Sequence, residues 1–331
     1  MSVDLPAGIP PFLAASGWGD SAVEPLPGDA SFRRYFRIRR GAVEGGASAM
    51  LMHAPPPHED PGPFLRIARW LEANGMRAPA ILAEEPGEGL VLLEDFGDVR
   101  MRDYLDEWPA DEREVYEGAI DALADLHRLP PAPLLDYTLA EYLREVRLFT
   151  EWYCPAQGLA VDAAGYDRAW EEVLTALLPR QRPGVTVLRD YHAENIMLLG
   201  HLRKQGLLDF QDALVGHPAY DLVSLLQDAR RDVAPALEAA MFDRYVAVSG
   251  AGPDFRADYA RLGAQRNAKI VGIFVRLWQR DGKPRYLTMI PRVWALLERD
   301  LAHPALEPVA AWFDANIPPA LREAGGGAWT L

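Results

Sequence analysis

Short runs of alternating apolar and polar residues occupy roughly the first hundred positions, and longer runs with helical periodicity occupy the rest. Residues 35–38 and 49–52 predict two strands, paired as a hairpin across the glycine-rich stretch 41–46. Residues 81–84 and 90–94 predict a second pair, turned by Pro86-Gly87-Glu88-Gly89. Between the pairs, 61–73 predicts a helix: proline opens it, Phe64, Ile67, Ala68 and Leu71 share one face, and Gly75 stops it. Beyond Gly97 the pattern predicts helices at 111–126, 139–151 and 166–178, with Val115, Ala119, Ala122 and Leu126 forming one stripe. Short β segments interrupt at 185–188, 196–199 and 206–209. From 221 onward helices are predicted at 221–232, 234–248, 256–281 and 285–300. The class expected is α+β and bilobal. A small β-rich N-lobe spans 1–97, and a larger, mainly helical C-lobe spans 98–331.

Length agrees, since 331 residues exceed what one core usually fills. Charge narrows the partners. The 34 basic residues face 48 acidic ones, and a net charge of −14 disfavours nucleic acid and anionic membranes. A single cysteine, Cys154, excludes an internal disulfide framework and any thiolate cluster. The N-terminal MSVDLPAGIPPF lacks the basic and apolar regions of a signal peptide, and no apolar run approaches membrane-spanning length. The expectation is a cytoplasmic protein. Lysine is scarce: only Lys204, Lys269 and Lys283 occur.

The chemistry concentrates in Arg189-Asp190-Tyr191-His192-Ala193-Glu194-Asn195, followed by Leu208-Asp209-Phe210-Gln211-Asp212. Asp190 follows one apolar strand, Asn195 opens the next, and Asp209 ends a third. A hairpin turning through 200–204 would bring Asn195 and Asp209 to one end. Two carboxylates and an amide oxygen are the set that phosphoryl transfer requires, one to orient the attacking hydroxyl and two to hold Mg²⁺ against phosphate oxygens. The seven histidines are scattered and H-E-x-x-H is absent, so nothing suits zinc.

These segments resemble the aminoglycoside phosphotransferase-like kinases, distant relatives of the protein kinases, and the resemblance runs over almost the whole chain. It implies a protein-kinase-like fold using ATP and Mg²⁺, with Asp190 as catalytic base and Asn195 and Asp209 as metal ligands. It further implies that Leu92-Leu93-Glu94-Asp95-Phe96-Gly97 is the hinge, placing Glu94 and Phe96 at the nucleotide, and that Asp221 braces the catalytic loop. Within the family, Gly28-Asp29-Ala30-Ser31-Phe32-Arg33-Arg34-Tyr35-Phe36-Arg37, the Asp190 and Asp209 segments, and Gly272-Ile273-Phe274-Val275-Arg276-Leu277 resemble the anomeric sugar kinases of bacterial cell-wall recycling. Those phosphorylate N-acetylmuramate and N-acetylglucosamine at C1, which would set His192, Gln211 and Asp212 at the sugar. Two positions depart from the pattern. Leu188 stands where a histidine is usual, and His53 where an acid or asparagine is expected.

A protein kinase anchors its phosphates with a strand lysine held by a helix glutamate. Strand 49–52 has no lysine and helix 61–73 has only Glu72, at its far end, so the pair is expected to be missing as a pair. The candidate replacement is 28–34. Ser31 and backbone N–H groups would donate to phosphate, and Arg33 or Arg34 would clamp it. Strand alternation points those two arginines to opposite faces, so at most one meets the nucleotide.

Residues 256–300 carry ten basic and four acidic residues, an excess of six positive charges in an acidic protein. A basic wall suits a neutral or anionic sugar better than a polycation. Arg266, Arg276 and Arg280 are the candidate acceptor contacts. Two other readings stay open on sequence alone. One is a kinase of the same fold acting on an aminoglycoside, choline or another amine. The other is a ligand-sensing pseudokinase, kept open by the missing lysine.

Overall fold

The computed structural model describes residues 5–27, 32–41 and 46–329. The chain divides into two compact units, Met1–Glu107 with Glu194–Asp212, and Trp108–Ala193 with Ala213–Leu331. Among the described residues no helix is long and apolar enough to cross a membrane.

The first unit is built on a five-stranded antiparallel sheet. Its strands are β1 (Ala22–Pro25), β2 (Arg34–Arg39), β3 (Ser48–His53), β4 (Ile81–Glu85) and β5 (Leu90–Glu94), in the order β1-β2-β3-β5-β4. Leu90 and Leu92 on β5 join Phe36 and Ile38 on β2 and Ala49 and Leu51 on β3, and Ile9 and Leu13 of helix Ile9–Ala15 close that side. Val91 and Leu93 face the other way by strand alternation and are equally buried, so the sheet is covered on both faces. Helix Gly62–Ala73 buries Phe64, Leu65, Ile67, Ala68 and Leu71.

The second unit is mainly helical. It holds strand β6 (Val185–Val187), which pairs not with its neighbour in sequence but with β9 (Leu214–Gly216). The strands between them, β7 (Ile196–Leu198) and β8 (Gln205–Leu207), form the expected hairpin. That hairpin belongs to the first unit, because Leu198 N–H donates to Val99 O at 2.8 Å and Leu207 N–H to Arg77 O at 2.8 Å. Residues 98–107 and 194–212 therefore lie outside the C-terminal unit, unlike a division at 97.

In the second unit, helix Phe255–Gln279 is the axis. It packs against Leu139–Leu148, Ala219–Leu226 and Ile290–Leu301. Gly272 is needed where it crosses the chain at Leu148, since a side chain there would overlap that residue's carbonyl. At the same place the predicted helix 139–151 changes to a π-helical turn, Phe149–Tyr153.

Other boundaries shift for local reasons. The Asp162 side chain caps Gly165 N–H at 2.8 Å and starts its helix at Ala163 rather than 166. The helix expected over 221–232 stops at Leu226, because the Asp228 carboxylate accepts from the backbone N–H groups of Ala193 and Arg230 and bends the chain. Prolines set the 285–300 segment: a 3₁₀ turn runs Pro284–Met289 and the α-helix begins only at Ile290. Helices Ile9–Ala15, Met101–Glu107, Glu307–Asn316 and Pro319–Glu323, with β1 and β9, were not predicted.

Candidate active site

Asp190 stands at a strained turn after β6. Arg189, just before it, has φ +72°, a left-handed conformation that costs a side-chain-bearing residue about 1 kcal/mol or more. Three contacts hold it there. The carboxylate of Asp221, fully buried, accepts from Leu188 N–H at 2.6 Å and from Arg189 N–H at 2.8 Å. Ser224 Oγ donates to Arg189 O at 3.3 Å. The Arg189 guanidinium pairs with Glu145 and lies over the Tyr137 ring. Asp221 thus occupies the bracing position that the resemblance implies. Leu188, the departure from the family pattern, is buried and contributes its backbone N–H to the same brace.

The Asp190 side chain is 47% exposed, and Arg266 Nη2 approaches its Oδ1 to 4.0 Å. Arg266 is itself buried, and its Nη1 makes no hydrogen bond. One turn further along the helix, Lys269 Nζ donates to Glu145 Oε1 at 2.8 Å and to Tyr220 OH at 3.0 Å. Glu145 therefore balances two cations. Burial pushes its carboxyl up, but Lys269 and Arg189 outweigh this and hold it at about 2. Asp190 is also held below its ordinary value: burial raises it, while His192, Lys269, Arg266 and Arg189 lower it by more. Burial lowers the His192 imidazole from its ordinary value, Arg230 and Arg266 add to this, and Asp228 and Asp190 oppose it. His192 is buried, with Nε2 3.3 Å from Arg230 Nη1.

In the first unit, the β7–β8 hairpin brings the two candidate metal ligands to one end. Leu208 N–H donates to Asn195 O at 2.9 Å, and Asn195 Nδ2 lies 3.3 Å from Asp209 Oδ2. Asp209 has φ +58°, after Arg189 the second strained non-glycine residue among the described residues, and Gln211 Nε2 donates to its Oδ1 at 2.7 Å. Phe210, next in sequence, is fully buried and stacks on Phe64 with centroids 5.0 Å apart. Were the Asn195 amide turned so that its oxygen replaced Nδ2 on this side, it and the Asp209 carboxylate would form a hard-oxygen pair suited to Mg²⁺. Among the described residues no cluster of three or more histidine, cysteine or acidic side chains could cage a metal. Asp212 lies three residues beyond Asp209 and is exposed.

At the predicted hinge, Glu94 is held by Arg77, whose Nη1 donates to Oε2 at 2.7 Å, and by Ala80 N–H at 3.2 Å. Its side chain is thereby tied at the end of β5. Phe96 lies beneath the Arg77 guanidinium at 4.7 Å and against Gly206 of β8, where a Cβ would overlap the ring. Arg37, buried on β2, binds three parts of the hinge: Asp95 Oδ2 at 2.9 Å, Asp98 Oδ1 at 2.7 Å and Gly97 O at 3.1 Å.

Of the two candidate phosphate arginines, Arg33 is largely buried and paired with Glu59, while Arg34 is exposed with its guanidinium over Phe36. Ser31, with Gly28 and Ala30, lies outside the described residues. Of the three acceptor candidates, only Arg266 is beside Asp190. Arg276 is about 15 Å further along the helix axis, and Arg280, at the helix end, is paired with Asp281. Glu145, Lys269, Arg230, Arg37 and Glu59 went unsingled in the sequence. Lys269 carried a signal, as one of three lysines in the chain.

Phosphoryl-transfer side chains on a β sheet and a helical unit define a kinase-like phosphotransferase. The chain belongs to the phosphotransferase enzyme family, whose model matches residues 22–262. It is 39% identical to the N-acetylmuramate/N-acetylglucosamine kinase of Caulobacter vibrioides, over 93% of this chain and 95% of that one. It is 38% identical to the kinase of the same name from Pseudomonas aeruginosa, over 89% of each. The fold matches a choline/ethanolamine kinase family protein from Mesorhizobium loti (TM-score 0.64, 15% identity, 93% of this chain and 99% of that one). It also matches an ADP-bound aminoglycoside phosphotransferase (TM-score 0.59, 13% identity, 88% and 97%).

Proposed function

We propose that this enzyme transfers the γ-phosphoryl group of ATP to the anomeric C1 hydroxyl of N-acetylmuramate or N-acetylglucosamine, acting in the cytoplasm on sugars released from peptidoglycan. Relatives carrying that substrate pair in their names match most of the chain, and the observation that carries the acceptor assignment is the Asp190–Arg266 pair. Asp190 accepts the hydrogen bond of the C1 hydroxyl and takes its proton as the oxygen bonds to phosphorus. The bond from phosphorus to the bridging oxygen breaks, and ADP leaves. Its depressed basicity suits a loose transition state, in which the hydroxyl loses its proton late and orientation matters more than proton abstraction. Asn195 and Asp209 would hold Mg²⁺, which neutralises charge on the phosphate oxygens. Gln211 keeps the Asp209 carboxylate in place.

The charge around Asp190 bears on the acceptor. Arg189, Arg266 and Lys269 are the cations there, and Glu145 is already bound by two of them. A cationic aminoglycoside or choline would meet net positive charge. A lactyl carboxylate would find the uncommitted, buried nitrogen of Arg266, a charge-assisted hydrogen bond of roughly 1.5–3 kcal/mol.

The test is ADP release with N-acetylmuramate, N-acetylglucosamine, an aminoglycoside and choline, for wild type and Arg266→Ala. Turnover is expected with the two amino sugars alone. The variant should lose roughly ten- to a hundredfold in kcat/KM on N-acetylmuramate and less on N-acetylglucosamine. An unchanged ratio between the sugars would remove Arg266 from acceptor recognition, and turnover of the amines would overturn the assignment.

A further inference from the structure

The first 203 residues hold no lysine, yet a kinase needs a cation on its nucleotide phosphates. Most arginines on and around the sheet have other tasks. Arg37 ties the hinge, Arg77 holds Glu94, Arg39 pairs with Glu24 and Arg69 with Glu84. Arg33 differs from these. It stands just before β2, and its Nε lies 3.2 Å from Glu59 Oε2 with both side chains largely buried.

Glu59 does not come from helix Gly62–Ala73. It comes from the turn that leads into it, where Pro55-Pro56-Pro57 is followed by His58 and Glu59, both of whose N–H groups donate to Pro55 O at 3.0 and 3.1 Å. The preceding residues make a parallel contact, Phe32 stacking on His58 at 5.1 Å. Phe32 and Arg33, the two residues before β2, are thus fastened to two consecutive residues of the proline turn. The stiffness of that turn fixes where the carboxylate stands, and the carboxylate fixes the guanidinium. The phenol of Tyr35 next to this pair is raised chiefly by burial, and Arg33 and Asp209 also act on it, in opposite directions. The cation and the candidate metal carboxylate therefore lie within electrostatic reach of one side chain in the same unit.

We infer that Arg33, held by Glu59, is the phosphate-binding cation of this kinase, an arginine–glutamate pair from two loops in place of a strand lysine and a helix glutamate. The inference rests on the nucleotide being ATP. Arg33 grips phosphate oxygens, and Glu59 is a positioning residue that acts through it. A guanidinium offers a planar fork where an ammonium offers a point charge, so lysine should be a poor replacement even though it keeps the charge.

The experiment measures binding of ATP and of adenosine by calorimetry, with Mg²⁺ and without any sugar, to wild type, Arg33→Ala, Arg33→Lys, Glu59→Gln and the Arg33→Ala/Glu59→Gln double variant. Arg33→Ala should weaken ATP by roughly ten- to a hundredfold and leave adenosine within about twofold. Arg33→Lys should recover only part of the loss. Glu59→Gln should show a smaller loss of the same kind, and the double variant should be no worse than Arg33→Ala alone. Equal weakening of ATP and adenosine would mean that the pair only supports the fold, and no weakening of either would mean that it faces away from the phosphates. Both outcomes overturn the inference while leaving the kinase assignment standing. Failure of the wild type to bind ATP would overturn both.

Discussion

Asp190 and the cations beside it set a testable acid limit. In the folded chain its carboxyl lies below its ordinary value, because His192, Lys269, Arg266 and Arg189 together outweigh burial. The acid limb of kcat/KM that belongs to Asp190 should therefore lie below about pH 4 in the wild type. Removing Arg266 takes away one of those positive charges, so in Arg266→Ala the limb should move to higher pH. An unmoved limb would show that Arg266 does not act on Asp190. Asp190→Asn should keep ATP binding and lower kcat by about 10²–10⁴; near wild-type turnover in that variant would remove Asp190 from the mechanism. At this scale the sequence was informative where a motif names its residues. The motifs name Asp190, Asn195, Asp209 and Asp221, and Asp221 holds the two N–H groups before Asp190. Glu59 and Glu145 were invisible, because each matters only through a partner distant in sequence: Glu145 meets Lys269 and Arg189, and Glu59 meets Arg33. No local spacing announces such a pair.

The elements followed the hydrophobic pattern wherever they were long or locally paired. Strand β5 and the helix at 62–73 fall where alternation and a helical stripe place them. Elements that depend on distant partners were lost. Strand β9 has three residues and exists because it pairs with β6 across the whole β7–β8 hairpin. The π-helical turn after Leu148 arises where helix Phe255–Gln279 presses Gly272 against it. The buried charges that join helices Leu139–Leu148 and Phe255–Gln279 give this scale its prediction. Glu145→Gln leaves Arg189 and Lys269 buried without a counter-charge and should cost about 3–5 kcal/mol at neutral pH. The folded carboxyl titrates at about 2, below its unfolded value, so the wild type holds this contribution above roughly pH 4.5 and loses it as pH falls through 2. Urea unfolding of both proteins across that range should show the difference shrinking toward acid. A difference that stays constant with pH would mean that the ionised carboxylate is not its source.

For the molecule as a whole, the central claim joins a family, a reaction and an acceptor atom. The change of hydrophobic period near residue 97 was legible because sheet and helix impose different repeats, but the division of the chain into units was not. Residues 194–212 return to the first unit through backbone hydrogen bonds to Arg77 and Val99 that no pattern encodes. The charge excess at 256–300 was legible too, and the structure divides it: Arg266 and Lys269 act around Asp190, whereas Arg280 pairs with Asp281 at the helix end. The most direct measurement is ³¹P NMR of the product made from ATP with N-acetylmuramate and with N-acetylglucosamine. The account predicts a sugar phosphate whose phosphorus couples to the single proton on C1. Coupling to the two protons on C6, or phosphate appearing only as the inorganic ion, would contradict it.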